Sequence, residues 1–217
     1  MRFIFEQIRT GGDRNFGYLV GDREAGAGAL IDPSYDPAAM VERARAQGLE
    51  VRYVINTHGH PDHTNGNEEA RRLTKAPLAA WKECPVGPDL PLEDRQELEL
   101  GSIRLRFLHT PGHSADHLVV HLPAERVAIT GDLLFVGKVG GTMNDELARV
   151  EHRSLERALA ELPDETTVWP GHDYGVRPAS TIALEKSTNP FLLAKDLDAF
   201  LELKRDWALF KQEHGLK

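Results

Sequence analysis

The run His58-Gly59-His60-Pro61-Asp62-His63 puts three imidazoles and a carboxylate into six residues. No periodic core face carries that density of polar groups. Imidazole nitrogen and carboxylate oxygen are the donors that zinc, iron and manganese accept. On an extended backbone His58 and His60 share a side, and a loop beyond the strand end can aim Asp62 and His63 at a neighbouring point. Three further donors follow apolar segments: His113 in Thr110-Pro-Gly-His-Ser114, Asp132 in Thr130-Gly-Asp132, and His172 in Pro170-Gly-His172. Each stands beside a glycine, which lets the backbone turn tightly. One such residue alone is an ordinary turn residue. Four strand ends carrying metal donors in one chain point instead to loops gathered at one edge of a scaffold.

One chemistry that such donors support is hydrolysis. Two cations a few ångströms apart can lower the pKa of a water towards ~7, which yields hydroxide at neutral pH. A metal can also stabilise the oxyanion of a tetrahedral intermediate. No serine or cysteine nucleophile is then required. Asp62 could both bind metal and orient the hydroxide. These residues leave thioester, amide and phosphodiester substrates open.

The elements that must position these groups can be read from pattern. Strands are expected at Phe3–Ile8, Asn15–Val20, Ala29–Ile31, Val51–Thr57, Pro77–Trp81, His117–His121, Arg126–Thr130 and Thr167–Trp169, with a hairpin of Glu97–Leu100 and Ile103–His109 around Gly101. Asp36-Pro37 reads as a helix start and Gly48 as its end. Helices are also expected at about 66–73 and along Leu155, Leu159 and Leu162. Prolines 85, 88 and 91 mark residues 84–95 as a surface excursion. Phe200, Leu203, Trp207 and Phe210 fall on one face of a C-terminal helix. The order suggests two packed sheets with helices outside. His109, His117 and His121 read as hydrogen-bonded structural residues, and His152 and His214 as surface residues.

Length and composition bound the function. The 217 residues fit one domain, 1–217, with a short helical extension from about 178. Apolar residues make up 41% and charged residues 28%, as in ordinary globular proteins. The net charge of −8 disfavours a fold-wide nucleic-acid surface. The single cysteine, Cys84, cannot form an intrachain disulfide. No stretch reaches the ~18 apolar residues of a membrane span, and the first residues lack a signal peptide's apolar core. A cytoplasmic enzyme with no membrane or nucleic-acid partner is expected.

Thr57-His58-Gly-His60-Pro-Asp62-His63, Thr110-Pro-Gly-His113, Gly131-Asp132 and Gly171-His172 together resemble the ordered motifs of the metallo-β-lactamase superfamily, over residues 16–191. The resemblance implies an α/β (α+β) fold, the four-layer αββα sandwich, with metals between the sheet edges. It implies that His58, His60 and His113 bind one metal, that Asp62, His63 and His172 bind a second, and that Asp132 bridges them. Asp32 matches an aspartate of the family's Ile-Asp-Pro element, which implies a partner behind a ligand histidine; the alternative is a turn cap before Pro33.

Within the superfamily, Gly131-Asp-Leu-Leu-Phe-Val136, Gly171-His-Asp-Tyr174 and Thr188-Asn-Pro-Phe191 look most like the glyoxalase II group, which hydrolyses hydroxyacylglutathione thioesters. This implies a dinuclear thioesterase acting through a metal-bound hydroxide on a small-molecule thioester. Zinc is the first expectation, with iron or manganese fitting the same donors. The glutathione-holding lysine and tyrosine of the group are replaced by Gly141 and Met143, and only about seventeen residues separate His172 from Asn189. Lys138, Arg177, Lys186, Lys204 and Arg205 are candidates for another anionic clamp, against a reading as solvated charges. The rival within the fold is a persulfide dioxygenase using one iron, held by His58, His113 and Asp132 or a close variant. Its Gly-Arg-Thr-Asp segment is Gly140-Gly-Thr-Met143 here, which ranks it second.

Overall fold

The computed structural model describes residues 2–215. One six-stranded sheet has the order β1 (Phe3–Gly11), β2 (Asn15–Asp22), β3 (Ala27–Ile31), β4 (Glu50–Ile55), β5 (Leu78–Trp81), β6 (Leu90–Leu92). The second has the order β14 (Ser180–Thr181), β13 (Thr167–Pro170), β10 (Val127–Gly131), β9 (Leu118–Leu122), β8 (Ile103–His109), β7 (Glu97–Leu100). β11 (Leu134–Phe135) and β12 (Lys138–Val139) form a small hairpin beyond β10.

Both sheets are covered on both faces, so their central strands are buried end to end, and alternation sorts side chains between layers. On β2, Phe16, Tyr18 and Val20 enter the core between the sheets with Ile31, Ile55, Phe107, Val120 and Ile129. Leu19, Leu30 and Val54 point the other way, against Met40, Val41 and Ala44 of α1 (Pro37–Ala46) and Ala70 of α3 (Asn67–Thr74). Leu108, Val119 and Ala128 pack outward on Leu155 and Ala158 of α4 (Asp145–Glu161), Ile182 of α5 (Ile182–Thr188) and Phe200 of α6 (Leu197–Arg205). The result is the expected αββα order. Asp36 caps α1 by accepting from Ala39 N–H at 3.0 Å, with Pro37 at its first position.

Strand direction places the chemistry. β3, β4 and β5 are parallel, and β8, β10 and β13 all run one way because antiparallel β9 separates β8 from β10. The carboxyl ends of β4, β8, β10 and β13 therefore carry His58, His113, Asp132 and His172 on their following turns.

Two expectations change. Residues 84–95 are not simply an excursion: β6 lies among them, pairs in parallel with β5, and buries Leu92 in the central core. The C-terminal face is broken at Asp206 into α6 and α7 (Trp207–Glu213). Phe200 is fully buried and Trp207 packs on Phe191 at 4.8 Å, whereas α7 buries no residue. Among the described residues no helix is long and apolar enough to cross a membrane.

Candidate metal centre

The strand end before His58 is pinned by Asp32. Thr57 N–H and its hydroxyl donate to the Asp32 carboxylate at 2.8 and 2.6 Å. The Thr57 hydroxyl proton is thus committed, so the 3.1 Å contact with His58 Nδ1 is a donation from the ring. That leaves the lone pair of His58 on Nε2, facing His60 Nδ1 at 3.0 Å. The same logic repeats. His63 Nδ1 donates to Asp32 Oδ2 at 2.9 Å, His113 Nδ1 to the Gly141 carbonyl at 2.7 Å, and His172 Nδ1 to the Asp13 carbonyl at 2.9 Å. Each outer bond fixes a tautomer and turns Nε2 inward, as partners behind metal-ligating histidines do.

The inward atoms converge. His113 Nε2 lies 3.0 Å from His60 Nδ1, and His63 Nε2 lies 3.3 Å from His172 Nε2. Three donor triads have all their atoms within 4.8 Å of one another: His58, His60 and His113; His58, His63 and Asp132; Asp62, His63 and His172. Asp132 spans the gap, with Oδ2 3.5 Å from His113 and 3.4 Å from His172, and Oδ1 3.5 Å from His63. Asp62 and His63 sit on one short helical turn, α2 (Pro61–Thr64), rather than on the loop expected.

The acids and imidazoles of the cluster set one another's charge. Burial alone would raise the Asp132 carboxyl, but His63 and His172 hold it well below the ordinary range. The hydrogen bond from His172 does the same for Asp62. Burial works against charge on His172, yet Asp132 and Asp62 push its pKa up to about 10. Burial drives the pKa of His58 down. Asp132 Oδ1 is buried without a hydrogen-bond partner. The lone pairs of His58 and His113 facing His60 Nδ1 across 3.0 Å, beside an orphaned carboxylate oxygen, are what divalent metal would satisfy.

All seven sequence-expected donors lie in this cluster, with Asp32 directly behind His63. His117 does not face it: Nδ1 bonds the Thr110 hydroxyl at 2.8 Å and Nε2 accepts from Asp132 N–H at 3.0 Å. Burial lowers its pKa to about 3, so it stays a neutral acceptor there. Gly131 has φ +48, and a Cβ on it would stand 2.7 Å from His117 Nε2. The turn into Asp132 therefore requires glycine.

The expected basic clamp is dispersed. Lys138 lies beside the centre, its Nζ 4.4 Å from the ring of Tyr174, which stacks on His172 at 4.6 Å. Arg177 is exposed, Lys186 pairs with Asp164 at 2.7 Å, and Arg205 pairs with Asp145. Lys204 is nearly buried against Glu151 and is no solvated charge. Two histidine expectations also fail: His121 is buried with Nε2 unpartnered, and His152 is half-buried at 4.9 Å from Phe200.

Sequence reasoning missed Asn15. It is fully buried, and its amide donates to Asp62 Oδ2 at 3.0 Å and to the Asp62 carbonyl at 3.1 Å. Its backbone bridges His172. Asn15 opens β2, far from every motif, and nothing local in the sequence marks it as part of the site.

A family model, the metallo-beta-lactamase superfamily, matches residues 10–83 and 85–172. The chain belongs to the metallo-β-lactamase superfamily. It is 36% identical to a hydroxyacylglutathione hydrolase of Polaromonas sp. over 79% of this chain and 67% of that one. It is 30% identical to the human mitochondrial persulfide dioxygenase ETHE1, covering 88% and 75%. A crystal structure of ETHE1 from Myxococcus xanthus superposes with a TM-score of 0.86 at 30% identity, covering 94% of this chain and 91% of that one.

Proposed function

We propose that the chain is a metal-dependent thioesterase acting on hydroxyacylglutathione-like esters. The observation that carries the reading is Asp132, set between two complete donor clusters at 3.5 and 3.4 Å. His58, His60 and His113 would hold one divalent metal, Asp62, His63 and His172 a second, with Asp132 shared. Zinc is the expected metal, and iron or manganese suit the same donors. Bound metal would make water nucleophilic at neutral pH and polarise the acyl carbonyl.

The chain's own residues supply the rest. Asp62 is kept ionised and is partly exposed, so it is placed both to hold metal and to orient the attacking water, whose proton is lost to solvent. Asn15 holds one of its oxygens in place. Water adds to the acyl carbon, the C–S bond breaks, and the thiolate leaves without a general acid because it is a stable anion near neutral pH. Lys138 over Tyr174 offers a cation to an anionic thiol portion. The cytoplasm is the compartment of this reading, in keeping with a lone buried thiol, Cys84.

A second reading, a mononuclear-iron persulfide dioxygenase, is favoured by the likeness to ETHE1. Metal content per chain, thioester hydrolysis and oxygen uptake with glutathione persulfide separate the two. Two metals with hydrolysis are expected; one iron with oxygen uptake and no hydrolysis would establish the rival. Asp62→Ala should lower hydrolysis ~10²-fold or more and remove one metal per chain, and unchanged turnover would exclude a second-metal role.

A further inference from the structure

α4 runs beside the two segments that fix His113. The Ser154 hydroxyl donates to the Pro111 carbonyl at 2.7 Å. A Cβ on Gly112 would stand 2.6 Å from the Glu151 backbone nitrogen, so α4 lies directly against the residue before His113. The Glu151 side chain is fully buried and meets Lys204 of α6, itself nearly buried. Lys204 Nζ also donates to the Gly140 carbonyl at 2.8 Å. The next carbonyl, Gly141, is the one that accepts from His113 Nδ1.

Gly140 and Gly141 have no side chains with which to anchor themselves. A longer hydrogen bond, 3.3 Å from Gly140 N–H to the Leu133 carbonyl, is the other tie on the segment. Glu151 Oε1 has no partner, and a Cβ on Gly140 would lie 2.9 Å from it. Burying an acid–base pair is seldom better for stability than burying hydrocarbon of the same volume. What the pair adds is a directed donor, held by Glu151 and aimed at Gly140.

We infer that Glu151 and Lys204 are positioning residues for His113, coupling the C-terminal helix α6 to one metal cluster through the Gly140–Gly141 carbonyls. This rests on the reading of His113 as a metal ligand. The C-terminal segment is then part of the metal centre's support as well as a cover for the second sheet.

The test uses the full-length, zinc-loaded chain and follows zinc release to a chromogenic chelator. His113→Ala and His172→Ala first assign the release phases to their clusters. The double variant Glu151→Leu/Lys204→Met removes the pair without leaving a lone buried charge. It should speed the His113-dependent phase ~10-fold, leave the His172-dependent phase unchanged, and shift the His113 Nδ1–H proton resonance. Unchanged release in both phases, or equal acceleration of both, overturns the inference while leaving the ligand assignment standing. Unaltered release from His113→Ala overturns the ligand assignment itself, and this inference with it. Should the double variant not fold, Lys204→Met is measured in the same way, and wild-type release from it overturns the inference.

Discussion

The two walls of the metal centre are built differently. On one, His58, His60, Asp62 and His63 come from a single turn of chain after β4, backed by Asp32 at the end of β3. On the other, His113, Asp132 and His172 come from three strands spread over about sixty residues. Each is held by a partner remote in sequence: Gly141 for His113, His117 for Asp132, Asp13 for His172. The first wall is a motif, and the second is an alignment of strand ends that exists only because β8, β10 and β13 run in one direction. Local sequence secures the first; the second depends on packing at a distance.

That contrast can be broken by experiment. Asp132 is the residue that reaches both walls, so Asp132→Ala should have the largest effect. Loss of metal from both clusters should remove several kcal/mol of transition-state stabilisation, roughly 10³-fold in kcat/KM. Full retention of one metal would show that the two clusters bind independently of Asp132. Asn15 ties the walls from the side, through Asp62 and the backbone of His172. Asn15→Ala should weaken metal binding at the Asp62 cluster by roughly tenfold to a hundredfold, read by competitive titration, with little change at the His113 cluster. Equal weakening at both would make Asn15 a general packing residue.

The smallest effect concerns stability. Burial pushes the Glu151 carboxyl up from 4.5 to about 7, against the pull of Lys204 and with Asp132 adding to the rise. Between those values the folded chain keeps a proton that the unfolded chain has lost, so this group's contribution to stability falls as pH rises. Denaturant midpoints should therefore move in favour of Glu151→Gln, relative to the wild type, from pH 5 to neutrality. A trend the other way would mean that the Lys204 attraction outweighs the burial.

Much of this was legible beforehand. Apolar runs bounded by turn residues marked most strands, Asp36-Pro37 and Gly48 bounded α1, and glycine-flanked donors after apolar runs marked the four strand ends. Misreadings came where local signals compete with distant partners. Pro85, Pro88 and Pro91 signal loop, yet β6 forms among them because Leu92 has a place in the central core. Lys204 reads as a surface charge because lysine is seldom buried unless paired, and its partner Glu151 lies 53 residues away.

The sequence by itself determined the donor types, their order along the chain and the turn glycines that present them, because metal chemistry and backbone sterics act on residues one at a time or on near neighbours. Only the tertiary structure decided which ring nitrogen faces inward, that Asp132 stands between two clusters, and that Asn15, His117 and Lys204 belong to the site's support. Those are properties of hydrogen bonds between segments far apart in the chain, and no local spacing encodes them.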